Sequence, residues 1–219
     1  MKELMFPDFP RAEYEQRYSR VQQVLRESAI DALFLTGRQN LRYFAGLRDG
    51  AWDACHFYFF LLVPTEGTPV LLVSHGFEHL VKQCWIEDVR YWPLLKGPQI
   101  EKKSNAVALV LEVLEDKGLA SSTIGMELSS GMQVNLGQDD FRALTDGLPQ
   151  ANIVDGSEAV WRLRSIKSPV EIERLRTAAW ISTQGVKAGF EALRPGMTEK
   201  QVVDIMTSVM CAEGASEQR

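Results

Sequence analysis

The sequence has 219 residues, 45% of them hydrophobic and 24% charged, with a formal net charge of −5. That length holds one large domain, or one domain and part of another, and the composition is ordinary for a globular chain. The mildly acidic balance argues against a sequence-independent nucleic-acid binder, which needs a basic face.

The three cysteines, Cys55, Cys84 and Cys211, lie far apart, and no CxxC pair exists. A zinc ribbon or a dithiol redox motif is therefore not expected, and the cysteines read as reduced, mostly buried thiols of a cytoplasmic protein. The first residues, MKELMFPDFPRAEYEQRY, lack the apolar core of a signal peptide, and no apolar run reaches the length of a membrane span. Neither nucleic acid nor a membrane is an expected partner.

In chain order, Tyr14, Tyr18, Val21, Val24 and Leu25 recur at helical spacing after Pro10. DALFLTG, from Asp31 to Gly37, reads as a short buried strand. RQNLRYFAGLRDGAWDACH, from Arg38 to His56, reads as a long loop. FYFFLLVP and PVLLVS read as strands, and the turn-like TEGT between them predicts an antiparallel hairpin. GFEHLVKQCW reads as helix, and Val89 to Leu95 as a strand interrupted by Pro93. SNAVALVLEVLEDKG reads as a helix capped by Ser104 and ended by Gly118. Ser122 to Leu128 reads as a strand, GQDDFRALTDGLP as a helix with an acidic first turn, and Ala151 to Ser157 as a last strand. This alternation predicts an α/β domain, a mixed sheet flanked by helices. Neither a Gly-x-Gly-x-x-Gly turn after a strand nor a Walker loop is present.

After Ser157 the pattern changes. Ser168, Pro169 and Glu171 form a helix start with a capping box. Ile172, Leu175, Ala179, Ile181, Val186 and Phe190 then supply an apolar face as far as Pro195-Gly196. Thr198 caps a second helix carrying Val202, Val203, Ile205, Met206 and Val209. Such faces must be buried, either against each other or against a further sheet.

RLRSIKSPVEIERLRTAA and ALRPGMTEKQVVDIM resemble the start of the catalytic domain in the creatinase/prolidase/aminopeptidase P family. The matching residues are Arg164, Lys167, Ser168, Pro169, Glu171 and Ile172, then Pro195, Gly196, Thr198 and Glu199. NLRYFAG, Asn40 to Gly46, is similar to part of that family's N-terminal domain. The resemblance implies a creatinase-type N-terminal α/β domain over 1–157. Over 158–219 it implies a linker and the first helices of an incomplete pita-bread catalytic domain. It implies an intact metallohydrolase that cleaves a C–N bond, as an Xaa-Pro dipeptidase or aminopeptidase or a creatinase-like enzyme. Two divalent metal ions (Mn, Co, Zn or Fe) would be held by Asp, His and Glu residues downstream of Arg219. On this reading the chain carries no catalytic residue, no metal site and no cofactor, and is inactive alone. Its expected partners are its own catalytic domain, a second copy in a homodimer, and a small peptide or small amide or amidino substrate. Two rivals stand: a non-catalytic interaction module of a relative that has lost its metals, and a free-standing α/β binding domain whose last two helices simply pair.

Few residues of the chain itself are candidates for chemistry. His75 and His79 stand four apart, but the order is not HExxH and Gly76 weakens a helix there, so they read as exposed imidazoles. The resemblance implies that the loop after the first strand reaches toward an active site. In it, Arg48 is a candidate to pair with a substrate carboxylate, Trp52 and Tyr43 to wall a pocket, and His56 to hydrogen-bond substrate. Asn40 is a further substrate-binding candidate, but Asn40 and Tyr43 read more readily as residues that order the loop, whereas Trp52 reads equally as one that packs on the sheet.

Overall fold

The apolar runs between turn signals form one six-stranded sheet in the computed structural model, which describes residues 8–48, 58–82, 84–93 and 105–215. The strands are β1 Ala32–Leu35, β2 Phe59–Pro64, β3 Val70–Ser74, β4 Asp88–Trp92, β5 Thr123–Met126 and β6 Asn152–Asp155. Their order is β4-β3-β2-β1-β5-β6. β2 runs antiparallel to both β1 and β3, and the other neighbours are parallel, so the sheet is mixed. The expected hairpin is present, with Phe59 opposite Val73 and Leu62 opposite Val70.

Every residue of β1, β2 and β3 is buried, the mark of strands covered on both faces. Successive side chains point to opposite faces, and β1 shows the division. Leu33 and Leu35 enter one core with Tyr14, Val21 and Leu25 of α1 (Arg11–Glu27), whereas Ala32 and Phe34 enter the other. α2 (Arg38–Ala45), α3 (Glu78–Val81) and α6 (Ser157–Ser165) complete the first layer. α4 (Asn105–Asp116) and α5 (Gln138–Asp146) supply the second through Val107, Val110, Leu114 and Leu144.

Several elements depart from the sequence expectations. Arg38 to Ala45 is helix, where a loop is expected, and its caps come from distant residues described below. The expected helix through GFEHLVKQCW is reduced to Glu78–Val81, because Cys84, Trp85 and Ile86 leave it to pack in the first core. Segment 158–166, expected to begin a linker, is largely α6, and it sends Ala159, Val160 and Leu163 into that core. Cys84 is buried but Cys211 is exposed, against the expectation of mostly buried thiols, and Cys55 lies outside the described residues. Ser104, the expected cap of α4, also lies outside them.

The chain divides into two units, Met1–Ile166 and Lys167–Arg219. The second consists of α7 (Pro169–Ala192) and α8 (Glu199–Ala212). Both begin with reciprocal capping boxes. In α7 the Glu171 amide donates to Ser168 Oγ at 3.2 Å and the Ser168 amide to Glu171 Oε2 at 2.8 Å. In α8 the Thr198 amide donates to Gln201 Oε1 at 2.9 Å and the Gln201 amide to Thr198 Oγ1 at 3.3 Å.

The two helices pack closely through Gly185 and Gly189, the buried residues of α7. A Cβ at Gly185 would lie 3.0 Å from the Met206 carbonyl oxygen, and one at Gly189 would lie 2.6 Å from Met206 Cγ. Leu175, Trp180, Phe190, Leu193 and Val203 are left more than half exposed, Phe190 at 71%. Pairing alone therefore does not bury the apolar faces.

Candidate functional site

Parallel β1, β5 and β6 end at one edge of the sheet, and antiparallel β2 begins there. Ligand crevices of open α/β sheets lie outside such carboxyl ends. Glu127 follows β5 directly at this edge and is 2% exposed. Its Oε2 accepts hydrogen bonds from the amides of Thr36 and Gly37 at 2.7 and 2.8 Å and from Thr36 Oγ1 at 3.3 Å. Its Oε1 accepts from Asn40 Nδ2. Those amides lie at the start of α2, where the helix dipole and the orphan N–H groups favour a negative charge. A buried carboxylate is costly unless so satisfied. Gly37 is needed for the approach, because a Cβ there would lie 2.5 Å from Glu127 Oε1.

The network extends outward. Arg164 Nη1 of α6 donates to Asn40 Oδ1 at 2.9 Å, and the Asn135 amide donates to Thr36 Oγ1 at 2.8 Å. Tyr58, just before β2, donates to Asp140 Oδ2 at 2.7 Å and accepts from the Gly137 amide at 3.0 Å. Burial first, and the Asp140 carboxylate second, raise its pKa, so it serves as a donor. Asp155, at the end of β6, accepts from the Ser157 amide at 3.0 Å and the Leu128 amide at 3.3 Å. Local desolvation opposes ionisation, yet the hydrogen bonds from Ser157, Leu128 and Ser129 outweigh that and lower its pKa.

The other end of α2 is held just as remotely. Arg17 Nη1 of α1 donates to the Tyr43 carbonyl at 2.7 Å, and Trp85 Nε1 to the Phe44 carbonyl at 2.7 Å. Arg17 is 1% exposed, stands 4.2 Å from the ring centroids of both Phe9 and Tyr43, and pairs with Glu13 at 3.2 Å. Three elements thus fix a helix of eight residues.

The sequence candidates are distributed along this helix and beyond it. Asn40 is buried in the Glu127 network, and Tyr43 packs against Arg17 and, edge to face, on Phe44 at 4.9 Å. Their contacts are those of residues that hold α2. Arg48 lies past the helix, 3.3 Å from Asp8 Oδ1, a carboxylate it shares with Arg42 at 2.7 Å. Trp52 and His56 lie outside the described residues. The residues missed from sequence are Glu127 and Arg17, together with the bond from Arg164 to Asn40. A lone acid at the end of a strand and an arginine on the apolar side of a helix were the available signals.

Among the described residues no group of three or more His, Cys, Asp and Glu is placed to hold a metal ion. His75 Nδ1 pairs with Glu78 at 3.0 Å and the His75 ring stacks on Tyr91 at 5.1 Å, both His75 and Glu78 being exposed. The described residues do not fit a dinuclear centre. An open groove of about 510 Å³ at the opposite edge is lined by Asp31, Thr65, Glu66, Lys117 and Ser122, with Lys117 held by Asp88 at 2.9 Å. No helix among the described residues is long and apolar enough to cross a membrane.

Comparison with known proteins places this architecture. The profile of the Creatinase/Prolidase N-terminal domain matches residues 17–166. Creatinase of a Bacillus species is 27% identical over 211 residues, covering 94% of this chain and 47% of that protein. Ectoine hydrolase of Halomonas elongata is 26% identical over 205 residues, covering 89% of this chain and 48% of that protein. An Xaa-Pro dipeptidase from Bacillus anthracis has a similar fold, with a TM-score of 0.72 at 20% identity, over 93% of this chain and 50% of that one. The chain spans about half the length of the curated relatives it matches. The matched span takes in the whole Glu127 network, from Arg17 to Arg164, and the chain belongs to the creatinase/prolidase N-terminal domain family.

Proposed function

We propose that this chain is the N-terminal part of a creatinase- or Xaa-Pro-peptidase-like metallohydrolase, one that cleaves a C–N bond in a proline-containing peptide or a small amide or amidino compound. The observation that carries the reading is the second unit. Two well-capped helices pair through glycines and yet leave Trp180, Phe190 and Leu193 open to solvent. Apolar faces of that kind mark a surface built to be covered, and coverage of only about half of each relative supports a catalytic domain as the cover.

The chemistry then resides in residues and two divalent metal ions outside this chain, which is inactive by itself. Its own part is structural and selective: it contributes to a homodimer and shapes access to the active site through the connection that follows α2. Within that connection Arg48 would meet a substrate carboxylate, Trp52 and His56 would also contact substrate, and α2, bearing Asn40 and Tyr43, would support it. The enzyme works in the cytoplasm.

The test measures metal content and hydrolysis of Xaa-Pro dipeptides and of creatine, by this chain and by the protein that includes the catalytic domain. The expected result is turnover and two bound divalent ions for the longer protein, and neither for the 219-residue chain. Turnover by the chain alone would overturn the proposal. A longer protein without metal or turnover would favour the second reading, a non-catalytic interaction module; the exposed apolar surface is what speaks for it.

A further inference from the structure

Asn40 stands between two charges and makes no ordinary surface contact. Its side-chain carbonyl accepts from the Arg164 guanidinium at 2.9 Å, and its Nδ2 donates to Glu127 Oε1. The orientation of the amide is thereby fixed, since a flip would set oxygen against carboxylate and NH₂ against guanidinium. Glu127 passes the link on to the Thr36 and Gly37 amides through its second oxygen. Arg164 sits in the last turn of α6, with its guanidinium 5.5 Å from the half-exposed Trp161 ring.

An asparagine between a cation and an anion does more than fill space. The guanidinium polarises the amide, which strengthens its donation to the carboxylate. The carboxylate in turn holds the N–H groups at the head of α2. We infer that Arg164, Asn40 and Glu127 act as one relay, through which the last turn of α6 sets the N-terminus of α2. These are positioning residues. α2 leads through Gly46 to Arg48, so the relay ties the end of the first unit to the base of the connection assigned above to substrate access. That last link rests on the proposed function, but the relay does not, and its test needs no activity.

The test compares Arg164→Met, Glu127→Gln and the double variant, each with Asn40 intact and with Asn40→Ala, in the 219-residue chain. The readout is amide hydrogen exchange at Thr36 and Gly37, with the Leu71–Val73 amides of β3 as the reference for global opening. Loss of one charge-assisted bond corresponds to roughly ten- to a hundredfold in a local opening equilibrium, and a loss felt only through Asn40 to a fraction of that, about three- to tenfold. Arg164→Met is expected to accelerate exchange at Thr36 and Gly37 by that smaller factor, although its own hydrogen bond goes to Asn40, and to leave β3 unchanged. Its effect should be non-additive with Glu127→Gln, and that coupling should vanish in the Asn40→Ala background. Unchanged exchange at Thr36 and Gly37 in Arg164→Met would overturn the relay, as would coupling that survives Asn40→Ala. If Arg164→Met does not fold, Arg164→Lys serves: smaller acceleration at the same two amides supports the relay, and none refutes it.

Discussion

All six residues of β2 are buried, whereas of the 24 residues of α7 only Gly185 and Gly189 are, and of α8 none. The contrast is not one of composition, since α7 carries Ile172, Leu175, Trp180, Val186 and Phe190. It reflects where burial is found. The first unit closes two cores around its own sheet, and even its buried charges, Glu127 and Arg17, are answered from within. The second unit has complete caps and a close helix contact, but among the described residues Leu175, Trp180, Phe190 and Leu193 stay more than half exposed. Good local chemistry forms a helix; a core needs a second face.

Variants can break either side of this contrast separately. The largest effect is expected from Glu127→Ala, which strips partners from the Thr36 and Gly37 amides and from Asn40. A cost of roughly 3 kcal/mol or more follows for the first unit, read as a lower denaturation midpoint with the α7–α8 signals unaffected. Gly189→Val should do the reverse. Its side chain meets Met206, and overpacking of about 1–3 kcal/mol should open the helix pair while β-sheet protection stays constant. Ser168→Ala removes a cap that is fully formed, at about 1 kcal/mol, and should fray the first turn of α7 in exchange measurements. Phe190→Ser should shift the stability of this chain by no more than about 0.5 kcal/mol, because the ring is 71% exposed. The same variant should lower aggregation, as seen by light scattering.

How much could be read from sequence follows from the same distinction. The cap of α7 is spelled out in four residues, Ser168 to Glu171, and the structure reproduces it bond for bond. The β2–β3 hairpin is legible for the same reason, its turn residues lying between its two strands. α2 is opposite in kind. Its N-terminus is answered by Glu127 and its C-terminus by Arg17 and Trp85. No window around Arg38–Ala45 contains those partners, so the segment reads as loop. The contact between α7 and α8 was hidden differently: a hydrophobic periodicity counts Ile172 and Leu175, but the helices meet at glycines, which carry no apolar side chain to count. For the candidate site, Asn40 and Tyr43 were visible as unusual residues, but their partners were not, and Arg48 proved to share Asp8 with Arg42. The family motif at Arg164 to Ile172 marked an arginine whose structural role, a bond to Asn40, only the fold reveals.

The most direct test of the account is residue-resolved hydrogen exchange on the 219-residue chain under native conditions. Amides of β1, β2 and β3 are expected to exchange only through global unfolding. Those of α7 and α8 should exchange through a separate, cheaper opening. Protection of α7 and α8 equal to that of β2 would show that the second unit is complete as it stands, and would contradict the claim that its apolar face awaits a catalytic domain.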